Sequence, residues 1–161
     1  MNPILTELRF EDVQPIWKEQ LWPERTSKIE KISYISSSGI IDMQIGQWGT
    51  NPIFLGFTNN TEIVACVSSF QTNQHEYRCR GIWVQESFRS TGLGLKMIDA
   101  LIEIIKKNDS QASTLWTMAR LRSVGFYQRA QFKNQQIIEG YEYGPHQMMS
   151  RILDSQSMQS V

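Results

Sequence analysis

From Ile82 to Lys96 the chain reads Ile-Trp-Val-Gln-Glu-Ser-Phe-Arg-Ser-Thr-Gly-Leu-Gly-Leu-Lys. An apolar strand end runs into a short loop that holds Gly92 and Gly94, and an amphipathic stretch follows. Such a loop presents unpaired backbone N–H groups, and the start of a helix adds about half a positive charge. Glycine lets an anion come close to the backbone, so the segment suits a phosphate or pyrophosphate. The triphosphate-binding pattern GxxxxGK[ST] is absent, because Gly92-Leu93-Gly94-Leu95-Lys96-Met97 does not supply it. A dinucleotide GxGxxG fails at its third position, where Met97 stands. What remains is Arg-x-x-Gly-x-Gly between a strand and a helix.

Other residues capable of chemistry are few. Cys66 and Cys79 lack CxxC spacing, and His75 and His146 stand far apart without clustered Cys or carboxylate partners, so no metal site is expected. Both histidines read as surface residues. Two thiols behind a start without a basic stretch or an apolar run imply a reduced, cytoplasmic setting. No apolar run approaches the roughly 18 residues of a membrane span. The 161 residues carry 16 Lys+Arg against 16 Asp+Glu, so no long-range field draws the chain to nucleic acid or to an anionic membrane. With 40% hydrophobic and 20% charged residues, it is long enough and apolar enough for one packed domain.

The elements that must position the loop follow from periodicity. Ile4 to Arg9 reads as a strand and Glu11 to Trp22 as a helix stopped by Pro23. Thr26 to Ile35 reads as a second, shorter helix on the spacing of Ile29 and Ile32. A long irregular connection follows, from Ser36 to Pro52. Ile53–Phe57 and Glu62–Phe70 flank Asn59-Asn60-Thr61 as a hairpin, and Tyr77–Val84 is a third strand. After Gly92, Met97, Ile98, Leu101, Ile102, Ile104 and Ile105 form one apolar helical face, with Lys106 and Lys107 at the end that the helix dipole favours. Ser113–Met118 is a strand, Arg120–Ala130 a short helix, and Phe132–Ile138 and Gln147–Leu153 are closing strands. The expected fold is mixed α/β: a mostly antiparallel twisted sheet of roughly six or seven strands flanked by about four helices. It fills residues 1–154 as a single domain, with a flexible polar tail at 155–161.

With this order of elements, Arg89-Ser90-Thr91-Gly92-Leu93-Gly94 after Ile82-Trp83-Val84 resembles the GNAT superfamily, the acetyl-CoA-dependent N-acyltransferases. Leu115 to Arg120 and Phe126-Tyr127-Gln128-Arg129-Ala130-Gln131-Phe132 are similar to that family's later strand and its Phe-Tyr-x-x-x-Gly-Phe helix. The resemblance covers about residues 80–132. It implies a GNAT-like fold and acetyl-CoA as co-substrate. Backbone amides of Arg89, Ser90, Thr91, Gly92, Leu93 and Gly94 would hold the coenzyme's pyrophosphate. Main-chain groups of Trp83 and Val84 would align its pantetheine arm, in a splay beside Leu115–Met118. Tyr127 matches the tyrosine that serves many members as proton donor to the departing thiolate. Two departures stand out: Gln131 replaces the glycine before Phe132, and Arg78 stands about where some members carry a glutamate base. Glu86 replaces a proline often found just after the strand.

Acetyl transfer to an amine needs an unprotonated nucleophile, because an amine with a pKa near 10.4 is mostly charged at neutral pH. Positioning supplies much of the rate. The expectation is direct transfer to a primary amine in a ternary complex, with Tyr127 as general acid. Glu86, or a water ordered by Glu76 or His75, is the candidate base. Leu21-Trp22-Pro23-Glu24-Arg25 is the candidate acceptor wall. The acceptor is a small-molecule or peptide amine rather than nucleic acid, and assembly as a homodimer is left open. The alternative is a GNAT-fold protein that binds acyl-CoA without turnover, as a sensor or scaffold.

Overall fold

The hairpin read at Asn59-Asn60-Thr61 forms: Ile53–Asn59 (β2) pairs with Glu62–Asn73 (β3), and Asn60 takes the left-handed φ of 61° that the tight turn requires. A second hairpin through Gln74 and His75 leads into Glu76–Val84 (β4). Ile4–Leu8 (β1) adds to the outer edge of β2. Thr114–Arg120 (β5), Lys133–Ile138 (β6) and His146–Ile152 (β7) complete seven strands in the order β1-β2-β3-β4-β5-β7-β6. Every neighbouring pair is antiparallel except β4 and β5. The computed structural model describes residues 2–153, and the polar tail expected at 155–161 lies outside them.

One face of this sheet is covered by Leu93–Asn108 (α3). Its apolar stripe, including Met97, Ile98, Leu101 and Ile105, is wholly buried against Leu55, Val64, Val67 and Leu115. Burial of each such side chain contributes about 2 kcal/mol, so this stripe fixes the helix to the strands. Val124–Arg129 (α4) extends the same layer through Tyr127. The opposite face carries Phe10–Ile16 (α1), which buries Val13, with Trp17 just after it, on Leu8, Phe54 and Cys66. The α1 end is tied by the Arg9 N–H, which donates to the Asp12 carboxylate at 2.8 Å. Ile45–Trp48 is a one-turn helix (α2) in the long connection. The two cysteines lie on adjacent strands but belong to opposite layers of the core, and both are free.

Two expectations change. The helix after Glu11 does not run regularly to Trp22: past Pro15, which has no N–H to give, residues Trp17–Leu21 widen into a π turn. Thr26–Ile35 is not a helix. Its backbone carbonyls serve other partners, with Ile29 accepting from Gln14 Nε2 at 3.1 Å and Glu30 from Arg80 Nη1 at 2.7 Å. Among the described residues no helix is long and apolar enough to cross a membrane.

Candidate active site

β4 and β5 run side by side only at their beginnings. Glu76, Tyr77 and Arg78 face Thr114, Leu115 and Trp116, and the ladder ends there. Two local features turn β4 away. Against β3, Ser68 faces Arg80 while Cys66 faces Trp83, so β4 carries an extra residue at Gly81-Ile82, a bulge that bends and twists the strand. Gly81 also sits under the Trp17 indole with φ +69°, where a Cβ would fall 2.3 Å from the ring. The Trp17 Nε1–H donates to the Gly81 carbonyl at 2.8 Å, locking strand to π turn. The open edge of β4 beyond the bulge therefore has no strand partner on the β5 side, and Trp83 and Val84 pair only with Cys66 and Ala65 of β3.

The parted strands enclose a cavity of about 390 Å³. Its wall takes Cys79 and Tyr127 from the α3 layer and Arg78, Arg80 and Trp22 from the α1 layer, so the gap runs through the sheet. Tyr127 is 4% exposed, and its ring stacks edge-on between Phe126 and Phe132. Burial raises its phenol well above the ordinary tyrosine value, Cys79 adds to the rise, and the neighbouring Thr117 side chain acts weakly the other way. The hydroxyl keeps its proton at neutral pH. Burial likewise pushes the Cys79 thiol up to about 12, so it is no nucleophile there.

His146 also lines the cavity, half-buried at the start of β7. It is there because β5 and β7 pair with Arg120 opposite His146. Its Nδ1–H donates to the Gly144 carbonyl at 2.9 Å, which leaves Nε2 as the acceptor nitrogen. Burial lowers its pKa, helped by the charges of Arg120 and Arg78 and opposed by the Gly144 carbonyl, so the ring is neutral at pH 7. The half-buried position differs from the surface location expected from sequence. Its only signal there was a lone histidine at a strand start.

Charge in the wall is one-sided. Among the described residues, Arg25, Arg78, Arg80, Arg120 and Arg122 contribute to it, against the single carboxylate of Glu142, which accepts from Thr26 N–H and Oγ1–H at 3.0 Å each. Arg80 stacks on Trp17 and Trp22, Arg25 on Trp22, and Arg120 on Tyr143 while donating to the Leu21 carbonyl. Of the candidate acceptor wall, Leu21, Trp22 and Arg25 line the cavity. Burial holds the Arg78 and Arg80 guanidinium groups down to about 10 and about 9, both still charged at neutral pH.

The glycine loop lies at the far end of β4. Gly92 caps α3 at φ +83° with open space where a side chain would stand, whereas the corresponding space at Gly94 is filled by the Phe126 ring at 2.8 Å. The second glycine thus makes room for the Phe126 ring against the helix. The Arg89 N–H bonds to Glu86 O and the Arg89 side chain to Val84 O. Among the described residues, no acceptor meets the backbone N–H groups of Ser90, Thr91, Gly92, Leu93, Gly94 or Leu95. They form the kind of nest that takes an anion.

The model of the Acetyltransferase (GNAT) family matches residues 16–132. The chain belongs to this family. Its fold is similar to Ard1 from Thermoplasma volcanium (TM-score 0.68, 16% identity, covering 94% of this chain and 98% of that one). It is similar also to the ribosomal-protein-S18-alanine N-acetyltransferase from Escherichia coli (0.66, 17%, 95% of each chain). A third is an aminoglycoside 6'-N-acetyltransferase complexed with coenzyme A (0.67, 12%, 94% and 97%). No curated protein matches the chain.

Within this GNAT domain the other sequence candidates lie apart from the cavity. Glu86 is exposed at the start of a short 3-10 turn after β4. His75 sits in the β3–β4 turn with its Nδ1 at 3.0 Å from Asp109, which also accepts from Tyr77 at 3.0 Å. Glu76 faces a separate groove with Trp116 and Ser150. Gln131 takes a φ of 73°, the left-handed position that glycine fills in the motif, and Phe132 N–H closes back onto Tyr127 O at 2.9 Å. The turn that holds Tyr127 survives the missing glycine. Among the described residues no cluster of His, Cys, Asp and Glu could hold a metal.

Proposed function

We propose that this protein is an acetyl-CoA-dependent N-acetyltransferase that acylates a primary amine by direct transfer in a ternary complex. The observation that carries this reading is the protonated Tyr127 hydroxyl in the wall of the gap between β4 and β5. The free N–H groups of Ser90–Leu95 suit the coenzyme's pyrophosphate, and the open edge of β4 at Trp83 and Val84 suits the amides of its pantetheine arm. Those strand-edge donors can also polarise a thioester carbonyl.

Neutral His146, through Nε2 or one water, takes the proton that the attacking amine must lose. It stands in the cavity wall, as Glu86 does not. Tyr127 faces the departing sulfur. A phenol raised above its ordinary value is a weaker acid than a thiol of pKa about 8.5, so Tyr127 serves chiefly as hydrogen-bond donor to the thiolate. Cys79, protonated and buried, offers no acyl-enzyme route, which favours attack by the amine itself.

The test is a thermal-shift titration with acetyl-CoA, followed by thiol release over a panel of amines. The expected result is a rise in Tm and turnover of at least one amine. Tyr127→Phe should lower kcat by about 100-fold with KM for acetyl-CoA within about twofold. Binding without turnover of any amine points to the acyl-CoA sensor instead. The absence of any shift overturns both.

A further inference from the structure

Among the described residues, Arg78 alone of the arginines in the cavity wall has buried guanidinium nitrogens without a partner, whereas Arg122 is exposed. Arg80, Arg25 and Arg120 each donate to a protein oxygen (Glu30 O, Ser27 Oγ and Leu21 O). Arg78 stacks its guanidinium on Trp116 at 5.1 Å and, among the described residues, makes no hydrogen bond and no ion pair. Its Nε and Nη1 are buried without any partner. Guanidinium has five N–H donors and no acceptor, and leaving two of its nitrogens buried and unpaired is costly unless a ligand completes them. None of the five arginines in the wall is in an ion pair among the described residues. Glu142, the one carboxylate in the wall among the described residues, is already engaged by Thr26. A polycation would meet this wall as like charge. A neutral amine would leave it unsatisfied.

We infer that the cavity between β4 and β5 is a binding site for an oxyanion, a carboxylate or phosphate, carried by the molecule that occupies the gap, with Arg78 as its main ligand. The inference rests on the acetyltransferase reading for the reaction but not for the site. The oxyanion has two possible sources: the amine acceptor, which would then be an amino acid or phosphorylated amine, or the acyl group of a dicarboxylic thioester. In either case Arg78 is a specificity-determining residue. Its charge makes no covalent contribution and sets which molecule is held with its reacting atoms beside Tyr127.

The experiment uses matched probes. With acetyl-CoA, thiol release is measured for β-alanine against β-alaninamide and for O-phosphoethanolamine against ethanolamine. In the second arm, succinyl-CoA is compared with acetyl-CoA, using ethanolamine. In the arm that carries the oxyanion, the anionic member should be preferred by about tenfold or more in kcat/KM. Arg78→Gln should remove most of that preference while acetyl-CoA still raises Tm, and Arg78→Lys should restore part of it. Equal turnover of anionic and neutral members in both arms overturns the inference, as does a preference that survives Arg78→Gln. Calorimetric titration with malonate reads the site without turnover. Binding about tenfold weaker in Arg78→Gln than in the parent supports it even if no amine is acylated and the acetyltransferase reading fails. Malonate binding that is absent, or indifferent to Arg78, overturns it.

Discussion

His146 carries its useful lone pair on Nε2 because Nδ1–H is committed to Gly144. Its pKa is held below the free value of 6.5, so the ring is an available base across the neutral range and is lost only as pH falls through that lowered value. The acid limb of kcat should therefore lie below pH 6.5, and His146→Asn should remove the limb and lower kcat by about 100-fold, read from pH–rate profiles. A limb unchanged in the variant would assign the base elsewhere. Tyr127 was legible from sequence because a local pattern, Phe-Tyr followed by Phe132, fixes its helix end. His146 was not, and Arg78 stood out only as the residue at the position of a glutamate base, with no sign of its place in the cavity. One reaches the cavity through the pairing of β5 with β7 and the other through the ending of the β4–β5 ladder, and both are long-range consequences that no local spacing encodes.

At the level of elements, two turns make opposite demands on glycine. Gln131 holds φ 73° at an exposed helix end, a conformation that costs an ordinary residue about 1 kcal/mol, so Gln131→Gly should stabilise the fold by about that amount. Gly81→Ala combines φ +69° with a Cβ 2.3 Å from Trp17 and should cost about 3 kcal/mol. Urea denaturation of both variants checks the pair. The strands and α3 were readable because their periods are unambiguous and their buried faces long. Thr26–Ile35 misled because Ile29 and Ile32 share helical spacing while only Ile29 is fully buried, as a single anchor of a loop. The π turn was invisible for a related reason: a wide turn and an α-helix bury nearly the same residues.

Over the whole molecule the charges cancel, 16 against 16, yet the cavity wall is strongly cationic. Overall neutrality thus says little about what the site accepts. Composition registers the sum, and only the fold reveals how the charges are sorted. The gap itself passes from the α3 layer to the α1 layer, with Tyr127 on one side and Trp22 on the other. A sheet parted in this way lets residues of both layers line one cavity. In the proposed direct transfer the coenzyme and the amine occupy this gap together, and neither departs before the other arrives. Initial-rate plots against either substrate at fixed levels of the other should therefore intersect, and parallel lines would show that the two take turns.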